Sequence, residues 1–197
     1  MSNVLVFDHT PPPPAAHLRL RRLSRGLAIL FTALMAMFAL WVMGAFVLSF
    51  LFSDHVRIGP GGALIGFPHP MRPLPGTVLY SDQPFVTHLA GFVNVLVATA
   101  PMLFICWHLR GLFRLYAAGI VFARGNAAHL KQVGLWLVVY PVAKFAANML
   151  FRLAGGTDTV WFRAELLYAL VAGLIVFAIA QVMAFGQEIE QDRAEII

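Results

Sequence analysis

Charge is what this chain has least of. Charged residues make up 12% of the sequence against 60% hydrophobic ones, too few to clothe an ordinary water-soluble surface. Cysteine is nearly absent as well. Cys106 is the single one, which excludes an intramolecular disulfide and reads as a small buried hydrophobe inside an apolar block. Beyond the first apolar block the membrane-crossing stretches contain no serine, no paired carboxylates and no HExxH sequence. Those gaps remove the usual donor sets for nucleophilic or metal-assisted hydrolysis, so neither enzymatic activity nor a cofactor is expected. His55, His69, Asp54 and Asp82 share a region, yet their spacing fits no metal-ligand pattern.

Four apolar blocks occupy the space that polar residues would fill in a soluble domain. The first, residues 26–52, has no charge in 27 positions and as a helix would be about 40 Å long, enough to span a bilayer with tilt. It is too long and starts too late for a secretory signal core, which makes it an uncleaved anchor. Further spans are expected at about 85–109, 133–153 and 165–186, giving an all-α fold of four transmembrane helices with residues 26–186 as the membrane domain. Proline at 84 suits the start of the second span and Pro101 can kink it, while Gly119 can end its continuation past the membrane. Ala169 and Gly173 make a close-packing patch on the fourth.

The flanks are of different character. Residues 1–25 are expected to be a disordered tail, with Pro11 to Pro14 extended and Arg19, Arg21, Arg22 and Arg25 forming a basic collar. Residues 53–84 are rich in proline and glycine, including GPGG at Gly59 to Gly62, and are expected to loop, with a short hairpin around Thr77 to Tyr80. Residues 187–197 form an acidic tail carrying Glu188, Glu190, Asp192 and Glu195.

Basic residues decide the orientation. Arg19, Arg21, Arg22, Arg25, Arg110, Arg114, Arg124 and Lys131 fall on one side of the spans, and Arg57, Arg72, Arg152 and Arg163 on the other. The excess places both termini in the cytoplasm of a multi-pass inner-membrane protein. The formal charge of +5 is carried beside apolar blocks and not by a soluble reader, so membrane lipids, and not nucleic acid directly, are the expected partners of these bases.

Within the third span, Trp136, Tyr140, Lys144, Asn148 and Arg152 recur every four residues, a stripe that drifts by about 40° per step along a helix. Lipid is a poor environment for it, so it should face other helices. Asn94 in the second span is the best interior candidate to meet it, making Asn94, Tyr140, Lys144 and Asn148 a candidate intramembrane polar cluster. Lys144 is expected to point inward with Asn148 and to hold the third helix against the second or fourth. A second candidate surface is cytoplasmic: Arg110 and Arg114 on an interfacial extension of the second span, Phe122 and Asn126 in the junction, with Asn126 placed to cap the third helix, and Glu188, Glu190 and Asp192 in the tail.

The junction Gly119-IVF-ARG-Asn126-AAH-Leu130-KQV-Gly134 and the ending FGQEIEQDRAEII resemble the bacterial membrane proteins grouped as domain of unknown function 2975. The likeness covers roughly residues 26–197. It departs at Arg193 and Ala194, where that family often has leucine and a small hydroxyl residue. What the resemblance implies is a four-helix protein without an established reaction, whose partner is a cytoplasmic helix-turn-helix regulator encoded nearby. From the residues, two functions remain open: a regulatory or scaffolding protein that binds a cytoplasmic partner, or a small transporter or channel-like protein, which with four helices would have to be a homo-oligomer to enclose a path.

Overall fold

The computed structural model describes residues 14–59, 62–66, 75–120, 124–156 and 164–195, with side chains between Leu18 and Gly186 apart from Gly62 and Arg124. Four long helices carry the chain: α1 (Pro14–Phe50), α2 (Phe85–Ala117), α3 (Arg124–Leu153) and α4 (Ala164–Glu195). Each contains a stretch long and apolar enough to cross a bilayer, with mean hydropathy from 1.5 to 2.4, and their surfaces display large hydrophobic side chains such as Leu40, Trp41, Val142, Tyr168 and Val182. Polar backbone in lipid has to be satisfied within the element that carries it, which is why the apolar blocks resolve into helices. This is a multi-pass membrane protein.

Side-chain pairs fix the packing. Phe31 stacks on Phe113 and Phe46 meets Phe92, so α1 and α2 run antiparallel. Phe104 stacks on Trp136 with ring centroids 4.3 Å apart, and His108 meets His129, so α2 and α3 do the same. At the α3–α4 crossing, a Cβ on Gly134 would lie 2.8 Å from the Phe177 nitrogen, and one on Gly173 would lie 2.8 Å from Leu137 Cβ. Two reciprocal glycines thus bring these backbones together, the small-residue packing that substitutes for a hydrophobic drive in lipid. The helices form a row in chain order, each packed chiefly on its sequence neighbours.

Three features differ from expectation. Helix α1 starts at Pro14, so residues 14–25, expected to be disordered, are helical. Proline is tolerated at a helix start, where its missing N–H costs nothing, and the Ala, Leu and Arg residues that follow are strong helix formers; residues 1–13 lie outside the described residues. The four-helix, all-α fold also carries a small sheet in the connection between α1 and α2. Strands β1 (Val56–Gly59), β2 (Gly62–Ile65) and β3 (Val78–Leu79) make an antiparallel sheet in the order β2-β1-β3. Val78 pairs with Ile58 and Leu79 with Arg57, so the residues expected to form a local hairpin instead complete a sheet with a distant strand. Arg57 reinforces that pairing, its Nε donating to Thr77 Oγ1 at 3.0 Å. Finally, α3 begins at Arg124, which puts Asn126 inside its first turn and not at its cap.

The sheet sits over one end of the helix row. Val56 and Ile58 from β1, Tyr80, Ala90 from α2 and Phe151 from α3 form one buried cluster, with Leu48 of α1 and Ala154 packed against it. Apolar burial here ties three helices to the sheet, and hydrogen bonds add direction: Thr87, fully buried at the start of α2, donates from Oγ1 to the Ala154 carbonyl beyond the end of α3. That carbonyl is one of the acceptors a helix terminus leaves without an intrahelical donor.

A polar relay and groove beneath the sheet

The Trp136-to-Arg152 stripe turns toward α2. Lys144 Nζ donates to Asn94 Oδ1 at 2.8 Å, and Asn94 Nδ2 donates to Asn148 Oδ1 at 3.0 Å. The spacing of four residues places Lys144 and Asn148 one turn apart on α3, and the single amide of Asn94 serves both by using its oxygen for one and its nitrogen for the other. Asn94 lies nine residues past the start of α2 (94 − 85) and Lys144 nine before the end of α3 (153 − 144), about 14 Å along each helix. The relay is therefore well inside the apolar belt. Of the expected cluster, Asn94, Lys144 and Asn148 are brought together, and Tyr140 lies half-buried one turn before Lys144 on α3.

Between α1 and α3, over the face of α2, lies a groove of about 270 Å³. Asn94 and Gly91 form its floor, Trp41, Leu48 and Ser49 of α1 one wall, Lys144 and Phe151 of α3 the other, and the sheet with Tyr80 its outer end. Gly91 is required by this geometry: a Cβ there would collide with the Tyr80 hydroxyl and sit 3.3 Å from the Phe151 ring. Tyr80 is anchored from several directions. Its ring stacks on His88 at 4.3 Å, its Oη donates to the His88 carbonyl at 3.2 Å, and His88 Nε2 donates to the Tyr80 carbonyl at 2.7 Å. Burial pushes the Tyr80 phenol above its ordinary value of 10.0, and a hydrogen bond with the Ser49 side chain pulls the other way. Among the described residues lining the groove, Lys144 is the one with a formal charge, and no carboxylate is present.

At the opposite end of the row, the expected cytoplasmic surface is built differently from its sequence pattern. Arg114 is exposed and Arg110 half-buried. Asn126 is fully buried, and its Nδ2 donates to the Ile120 carbonyl at 2.9 Å, so it holds the α2–α3 connection in place instead of presenting a surface. Gly119 adopts φ 86°, and a Cβ there would lie 3.0 Å from the Arg21 guanidinium, which packs over the turn. Phe122 lies outside the described residues, as do the side chains of Glu188, Glu190 and Asp192, whose backbone belongs to α4. No group of three or more potential metal ligands occurs among the described residues; His69 lies outside them.

Sequence reasoning missed two parts of this arrangement. Tyr80 and the α1 wall of the groove come from segments separated in the chain, with no periodicity to join them to Lys144. His108 and His129 meet Nδ1 to Nδ1 at 3.2 Å, one donating and one accepting, with the His129 ring laid on the backbone of Gly111. Each histidine is visible in the sequence as a polar residue at one end of an apolar span, but their pairing depends on antiparallel docking.

No family model, curated protein or solved structure matches this chain.

Proposed function

We propose that this membrane protein is a regulatory or scaffolding protein of a bacterial inner membrane, with the start of α1 and the end of α4 in the cytoplasm, where it binds a cytoplasmic protein. The observation that carries this reading is the ordered basic surface at the end of the row away from the sheet. Arg19, Arg22, Arg25 and Arg114 are exposed there, and Arg21 packs against the Gly119 turn that Asn126 helps to hold. A basic excess on one side of the spans favours the cytoplasm for that side. Helix α1 has 37 residues and α2 has 33, about 55 and 50 Å, against a hydrocarbon core of about 30 Å. The helices outrun the bilayer, and the surplus at this end is available to a protein partner.

The resemblance to domain of unknown function 2975 supports a helix-turn-helix regulator encoded beside this protein as the partner. Co-expression of the two, followed by purification in mild detergent, should recover a complex that is lost when Arg110 and Arg114 are changed to Glu or residues 187–197 are deleted. Failure to recover any complex, or a complex indifferent to both changes, would overturn the reading. A small oligomeric transporter is the second reading, favoured by the charged Lys144 in its intramembrane groove; it requires solute flux in liposomes that falls with Lys144→Met.

A further inference from the structure

We infer that His108 and His129 form a proton-operated latch between α2 and α3, at the end of the row away from the sheet. The latch is closed while the two rings share one hydrogen and opens when each Nδ1 carries its own. It lies at the same end of the molecule as the proposed partner surface but does not depend on a partner, because it acts within one chain.

The contact has the geometry of a proton held between two nitrogens. The Nδ1 atoms are 3.2 Å apart and the ring centroids 5.5 Å, so the nitrogens face each other close to the line of centres. That gap holds one hydrogen: one ring donates it, and the other must keep a bare lone pair to accept it. A first added proton goes to the far Nε2 of the donating ring, which leaves the bond intact and makes it charge-assisted. A second has only the accepting Nδ1 left to occupy. It turns the contact into two N–H groups pointed at each other between two cationic rings. No third potential metal ligand joins the pair among the described residues, so the bridging species this contact suits is the proton.

The surroundings are basic on every side. On α2 the titratable and charged neighbours are Cys106 and Arg110, with Arg114 and Tyr116 beyond. On α3 they are Arg124 at its start and Lys131, whose Nζ lies 5.8 Å from the centre of the Phe177 ring of α4. Helix α1 brings Arg21, packed on the Gly119 turn, together with Arg19, Arg22 and Arg25. Residues 83–157 contain no aspartate or glutamate, α1 contains none, and on α4 none occurs between Glu165 and Glu188. A doubly charged pair is therefore repelled by its neighbours as well as by itself. Both rings are half-buried, and the His129 ring is laid on the backbone of Gly111, where a Cβ would lie 2.7 Å from it. The repulsion thus acts on two packed helices and not on two loose side chains. Separated rings can take the second proton that the docked contact has no room for, so docking weakens as pH falls through the imidazole range of about 5 to 8.

Two readouts on the full chain in phosphatidylcholine nanodiscs test the latch. Magnetic resonance of isotope-labelled histidine should show scalar coupling between the two Nδ1 nuclei at about pH 8, and its loss at about pH 5. Nitroxides on Arg114→Cys and Gly125→Cys, both exposed positions, in a Cys106→Ala background should show dipolar broadening at the higher pH that is lost at the lower one. His108→Phe and His129→Phe should each make the nitroxide spacing indifferent to pH. Gly111→Ala drives a methyl into the His129 ring and keeps both histidines; it should abolish the coupling at every pH, and it carries the test if the phenylalanine variants do not fold. Absence of coupling at high pH overturns the inference. So does loss of coupling with unchanged nitroxide spacing, or a pH-dependent separation that persists in both phenylalanine variants.

Discussion

Asn94→Ala tests the relay where it is most vulnerable, because one amide supplies both of its hydrogen bonds. The substitution removes the 2.8 Å bond to Lys144 and the 3.0 Å bond to Asn148. Side-chain hydrogen bonds between membrane helices average about 0.6 kcal/mol and reach about 1.7, so loss of the pair should cost about 1 to 3 kcal/mol. Asn148→Ala, which removes one bond and leaves Asn94 serving Lys144, should cost about 0.6 kcal/mol. The assay is reversible unfolding in mixed micelles, followed by helical circular dichroism. A cycle of Asn94→Ala, Lys144→Met and the double variant isolates the Lys144–Asn94 term: Met keeps the apolar stem volume of lysine and discards its charge. The singles should exceed additivity, with a coupling of about 0.6 to 1.7 kcal/mol. Additivity within about 0.3 to 0.5 kcal/mol, the tolerance for independent sites, would refute the relay as a unit that joins α2 to α3.

The α3–α4 crossing gives a steric prediction: Gly134→Ala and Gly173→Ala each drive a methyl into facing backbone or Cβ atoms and should cost about 1–3 kcal/mol in the same unfolding assay. Gly44→Ala, with nothing within 4 Å of the added Cβ, should be neutral or stabilise α1 by up to about 1 kcal/mol. Tyr80 gives a pH prediction. Its folded value is raised above 10.0, so its contribution to stability is fully present below the unfolded value and is lost as pH rises through the folded one; unfolding measured from pH 8 upward should show a decline above about 10 that Tyr80→Phe reduces.

The membrane class and the four spans were legible in residue order alone, because a run such as residues 26–52 without a charge has few stable alternatives to a membrane-crossing helix. The inward stripe at Trp136, Lys144 and Asn148 was legible for a related reason: helical periodicity puts residues four apart on neighbouring positions, and lipid disfavours a polar row. Other features required the chain to fold back on itself. Asn126 reads as a helix cap from its local neighbours, yet it is buried inside α3 and holds the Ile120 carbonyl. The segment around Thr77 to Tyr80 reads as a local hairpin, yet β3 completes a sheet with β1, and Tyr80 closes a groove whose far wall is Phe151. Local pattern determines which face of an element must be hidden; which distant residues hide it depends on antiparallel docking and close approach at Gly91, Gly134 and Gly173, and those are properties of the tertiary structure.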